Sequence, residues 1–115
     1  MEFDRHTIAL LVHNPDGPEL DERAAAELQD AHLSHLADLY EAGHLVAAGP
    51  VADAEIRGFS ILRVDPERAR ELKEADPAVR AGIYTIRTAG WHVPAGAVQF
   101  APARFPRSVA EVRGG

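Results

Sequence analysis

Cysteine is absent from the 115 residues, which excludes disulfides, thiolate nucleophiles, Cys-bearing zinc sites and iron–sulfur clusters and suits a reducing compartment. Positive charge is scarce: 12 Lys plus Arg stand against 18 Asp plus Glu, a net charge of −6. Such a chain repels a phosphate backbone or an anionic membrane, so neither nucleic acid nor membrane is an expected partner. A long apolar run is also missing. Ile8 to Val12 is too short for a signal or spanning helix and Met1 to Arg5 is acidic, so no targeting segment is visible and a cytoplasmic protein is expected. What is present, 46% hydrophobic and 26% charged residues, suffices for one globular domain with a modest core.

Thr7 to Val12 places Ile8, Leu10 and Val12 on one side and Ala9 and Leu11 on the other, which predicts a strand buried on both faces. Asn14-Pro15-Asp16-Gly17-Pro18 breaks regular structure, and Asp21 then caps a predicted helix running to Ala42, stopped by Gly43. His44 to Val51 reads as a second strand disturbed at its far end by Gly49-Pro50, and Gly58 to Val64 as a third. Asp65-Pro66 opens a second helix, which should end near Ala75 ahead of Asp76-Pro77. Gly82 to Thr88 supplies the last strand. Residues 1–91 thus form the domain, and the proline-bearing residues 92–115 read as an extended tail in which Val98 and Phe100 form a short edge strand.

The order βαββαβ is the ferredoxin-like α+β arrangement, with both helices on one face of an antiparallel sheet. Leu11 and its apolar neighbours then need a cover on the other face, and a second copy of the sheet is the simplest one, predicting a homodimer.

On a helical wheel the first helix gathers Ala25, Leu28, His32, Leu36, Leu39 and Tyr40 into one arc, with His35 at its edge. By pattern His32 is buried and His35 is wet. Spacing alone reads His32 as a core histidine with a satisfied hydrogen bond, and Asp76, read alone, is a helix terminator. A metal at His32-x-x-His35 is disfavoured, because the wheel separates the two rings and no HExxH or Cys partner exists.

Three stretches change that reading: His32-Leu33-Ser34-His35-Leu36, Glu41-Ala42-Gly43-His44-Leu45-Val46-Ala47-Ala48-Gly49-Pro50, and Ala75-Asp76-Pro77-Ala78-Val79-Arg80-Ala81-Gly82. Together they resemble the YCII-related (YciI-like) family, over about Thr7 to Trp91. The resemblance implies a dimeric α+β barrel of ferredoxin-like subunits, with an active site around a histidine–aspartate pair that falls on His32 and Asp76. His35 occupies a position that the family fills variably. The proline-rich loop after the first strand and the tail after Trp91 depart from the family pattern.

In such a pair the carboxylate accepts one imidazole N–H and fixes the tautomer, leaving the other nitrogen to exchange a proton with substrate or water. The expectation is a small cofactor-independent enzyme of lyase, isomerase or hydrolase type, with His32 as general acid or base and Asp76 orienting it. Its substrate would be a small organic molecule between the first helix and the sheet, ring-derived by analogy with related barrels. Gly49 and Pro50 would form a backbone wall of the pocket, although a strand-ending turn explains them equally well, and Trp91 would form its floor, although ordinary core or dimer packing accounts for it as readily. Arg63 and Arg87, if inward, would favour an anionic substrate, although each also fits a strand end with its guanidinium in solvent. The rival reading is a non-catalytic homodimer that binds a metabolite or a partner protein; a cofactorless monooxygenase is a third.

Overall fold

The computed structural model describes residues 1–114. It contains β1 (Phe3–His13), α1 (Glu22–Glu41), β2 (Leu45–Pro50), β3 (Ile56–Leu62), α2 (Pro66–Glu74), α3 (Pro77–Arg80), β4 (Tyr84–Pro94) and α4 (Val109–Gly114). The four strands make one antiparallel sheet in the order β2-β3-β1-β4. That is the ferredoxin-like order. The central β1 pairs along its whole length with β4, from Phe3 opposite Pro94 to His13 opposite Tyr84.

The helix boundaries follow from local chemistry. Asp21 accepts the Ala24 N–H at 2.8 Å and Asp65 accepts that of Arg68 at 2.8 Å, so each helix begins where a side chain satisfies an otherwise orphaned donor. Gly43, with φ of 82°, turns the chain after α1, a conformation that side chains with a Cβ resist. Pro50 ends β2, an outermost strand, where a missing N–H breaks no inner ladder. Three expectations change. The last strand runs from Tyr84 to Pro94 rather than from Gly82 to Thr88, so the first residues of the expected tail belong to the sheet. Asp76-Pro77 starts the four-residue helix α3 as well as following α2. Val98 and Phe100 form no strand, and the tail instead ends in α4.

Strand alternation settles which side chains meet the helices. Thr7, Ala9 and Leu11 are buried, while Ile8, Leu10 and Val12 are half-buried on the opposite face. Leu11 therefore lies under the helices, contrary to expectation, and the stripe away from them is Ile8, Leu10 and Val12 with Phe59 opposite Leu10. The core cluster joins Ala9, Leu39, Leu45, Leu62 and Ala69, with Leu36, Tyr40, Leu72 and Phe105 packed against it. Phe105 brings the tail onto α1, where it stacks on Tyr40 with ring centroids 4.4 Å apart. Arg107 pairs with Asp38 at 2.9 Å and Glu41 at 3.0 Å, and the Val109 N–H donates to Asp30 at 2.8 Å.

The loop between β1 and α1 is fastened to the turn before β4: Asn14 donates its backbone N–H to the Ile83 carbonyl and its side-chain amide to the Gly82 carbonyl, at 3.1 and 2.8 Å. Gly17 lies so close that a Cβ there would collide with the Gly82 carbonyl oxygen. Gly17→Ala is expected to destabilise the fold by about 1–3 kcal/mol, the usual cost of overpacking, as read by urea unfolding.

Candidate active site

Asp76 has no exposed surface, and its two carboxylate oxygens have separate partners. Oδ1 accepts the Ala78 N–H at 2.8 Å, capping α3, and Oδ2 lies 2.6 Å from His32 Nδ1. With the carboxylate ionised, Nδ1 carries the proton and donates. That assigns the tautomer and leaves Nε2 to accept one. The bond joins residues 44 positions apart in sequence and fastens α1 to the corner between α2 and α3.

The His32 ring forms part of the wall of a cavity of about 610 Å³ between α1 and the sheet. Leu33 and Leu36 of α1, Gly49 and Pro50 of β2, Ser60 of β3 and Tyr84 of β4 share that wall. Phe105, Pro106, Val109 and Val112 from the tail also line it, and Gln29 and Arg57 add polar groups. The lining is largely apolar with a few polar groups, as small-molecule sites are.

A buried cation stands behind this wall. Lys73 is wholly inaccessible and its Nζ donates to Ser60 Oγ at 2.7 Å. Burial pulls its pKa down to about 8, opposed by the nearby Asp76 carboxylate. Lys73 thus stays mostly protonated near neutral pH. His32 bonds to Asp76 and Lys73 to Ser60, the Asp76 and Lys73 charges act on each other without a direct bond, and His32 and Ser60 both line the cavity.

Of the seven site residues read from the sequence, the structure brings together His32, Asp76, Gly49 and Pro50 here, but not the remaining three. Arg63 borders a different hollow, with Asp4, His6 and Phe100. Arg87 is exposed opposite Leu10, and Trp91 lies opposite His6, with ring centroids 5.9 Å apart. The cause is strand parity. Arg63 alternates with Phe59 and Ile61, and that face of β3 points away from the helices, as does the Arg87 and Trp91 face of β4. His35 is half-buried rather than wet, its Nε2–H donating to the Leu72 carbonyl at 3.0 Å. Among the described residues, no cluster of three or more His, Asp or Glu is placed to hold a metal ion, and no helix is long and apolar enough to cross a membrane.

Ser60, Lys73 and Tyr84 escaped the sequence reading. For Lys73 a signal existed: it is the only lysine in the chain, every other cation being arginine, and it lies four residues after Ala69, on the inner face of its helix.

A family model described as the YCII-related domain matches residues 8–89. No curated protein matches the sequence. Among solved structures, 5-chloro-2-hydroxyhydroquinone dehydrochlorinase from Burkholderia phenoliruptrix, in complex with 2,5-dihydroxybenzoquinone, superimposes with a TM-score of 0.57. The two are 18% identical, and the alignment covers 75% of this chain and 92% of that one. At that identity the likeness is one of fold. The tail residues that wall the cavity lie outside the matched range.

The folded-state pKa of Lys73 lies below its ordinary value of 10.5, so between about pH 8 and 10.5 the unfolded chain holds a proton that the folded chain releases. Stability should therefore rise with pH across that window. Urea unfolding is expected to show the wild type gaining up to about 3 kcal/mol relative to Lys73→Met over this range.

Proposed function

This chain belongs to the YCII-related domain family, and on that premise we propose that it is a small-molecule enzyme in which His32 is the general acid or base and Asp76 orients it. The observation that carries this reading is the 2.6 Å contact of His32 Nδ1 with a fully buried carboxylate, on a ring that lines an apolar cavity. Asp76 stabilises the imidazolium that forms when Nε2 takes a proton. Such a dyad works without a cofactor, and lyase, isomerase or hydrolase chemistry requires no more of it than moving protons.

The substrate class proposed is a hydroxylated, ring-derived metabolite. The cavity's largely apolar walls suit a ring, and a protein of the same fold is a dehydrochlorinase acting on a hydroxyhydroquinone and carries a bound benzoquinone. Gly49 and Pro50 supply backbone wall beside it.

The functional unit proposed is a homodimer. Ile8, Leu10, Val12 and Phe59 lie on the sheet face opposite the two main helices, and a second sheet would cover them.

His32→Gln and Asp76→Asn are each expected to lower turnover on a substrate found by metabolite screening by about 100-fold or more, measured on protein that still folds and assembles. If either change instead costs roughly 1–3 kcal/mol of stability, as a broken buried hydrogen bond does, while turnover persists, the pair is structural and the enzymatic reading fails. Sedimentation equilibrium at micromolar concentration is expected to give a dimer, and Leu10→Glu a monomer; a monomeric wild type overturns the assembly.

A further inference from the structure

We propose that Ser60 is an oxyanion-binding residue, its hydroxyl oriented by the buried Lys73 ammonium so as to donate a hydrogen bond to a phenolate or enolate oxygen of a molecule in the His32 cavity. The inference rests on the reading of that cavity as the substrate site and adds to it the chemistry opposite the histidine.

An ammonium has donors only, so in the 2.7 Å contact with Lys73 Nζ the Ser60 oxygen must accept. The serine proton is then left to point elsewhere, and Ser60 lies on the cavity wall. Accepting from a cation in a dry environment polarises the hydroxyl and strengthens it as a donor. Lys73 has no accessible surface of its own. It therefore neither touches a ligand nor forms an imine with one, and its charge reaches the cavity through Ser60. Lys73 is a positioning residue, and Ser60 is the group that meets the ligand.

Burying a charge is costly when an apolar side chain of similar length would fill the same space without desolvation. Here the charge acts on two groups: Asp76, whose negative charge it offsets, and Ser60, to whose oxygen it donates. Proton balance closes around the same groups. When His32 Nε2 takes a proton from a ring hydroxyl or from a carbon beside a carbonyl, the electron pair left behind resides on oxygen, and the Ser60 O–H stabilises it. No bond to Ser60 forms or breaks, and no electron leaves the ligand.

The test uses 4-nitrophenol, which ionises with a visible absorbance change, and 4-nitroanisole, which has the same ring and cannot ionise. The wild type is expected to bind the phenolate about tenfold or more tightly than the anisole, the scale of a hydrogen bond to a charged group. Ser60→Ala should abolish that preference with anisole binding unchanged, Ser60→Thr should keep it, and Lys73→Met should weaken it. Because Lys73 is the only lysine, lysine-specific isotope labelling gives a single side-chain signal, expected to shift with phenolate and not with anisole. Equal affinity for the two probes in the wild type, no binding of either at millimolar concentration, or a preference that survives in Ser60→Ala overturns the proposal. If Lys73→Met does not fold, the Ala and Thr variants of Ser60 decide it. His32→Gln should retain the phenolate preference; if that variant also keeps full turnover, the acid–base role of His32 fails while the oxyanion site stands.

Discussion

A carboxylate removed entirely from water has to be met by donors on every side, and the arrangement around Asp76 is the constraint from which the rest of the site follows. One oxygen accepts from the Ala78 N–H and caps α3, and the other accepts from His32. The Lys73 ammonium supplies compensating charge. Leaving a buried ion unpaired costs several kcal/mol. The corner between α2 and α3, the long helix α1 and the ring of His32 are therefore held together by one interaction, and the residue that clasps the fold is the one that orients the proposed acid–base group.

The cavity is a composite of unlike parts. The sheet and α1 provide a floor and wall from regular elements within the matched family range, whereas the wall formed by Phe105, Pro106, Val109 and Val112 comes from the tail beyond it. The tail is held by the Phe105–Tyr40 stack and by ion pairs of Arg107 with Asp38 and Glu41. Exposed ion pairs of this kind contribute about 0–1 kcal/mol each, so apolar packing carries the larger share. The sheet, α1 and the His32–Asp76 bond thus lie within the matched range, and one cavity wall lies beyond it.

The two Asp-Pro pairs show how far local signals reach. At Asp65-Pro66 the cap and the proline define a helix start by themselves, and the helix is found there. At Asp76-Pro77 the same signals are present, but the second carboxylate oxygen goes to a side chain 44 residues away. A spacing argument sees the cap and not the clasp, and the resemblance to a family was needed to name the pair.

The sequence alone determined the order of the four strands and two main helices, the ends of α1 and α2 to within a residue, and the α+β arrangement, because caps, glycines and hydrophobic periods act over a few residues. It also marked His32 as buried, since an apolar arc is a property of one helix. Only the tertiary structure decided which face of each strand meets the helices, placing Arg63, Arg87 and Trp91 away from the cavity and Leu11 within it. It alone placed the only lysine against Ser60, and the tail over α1. Alternation along a strand fixes which residues share a face. Which of the two faces is the inner one depends on where the helices dock, and that is settled by long-range contacts such as His32 with Asp76, which no short window of residues contains.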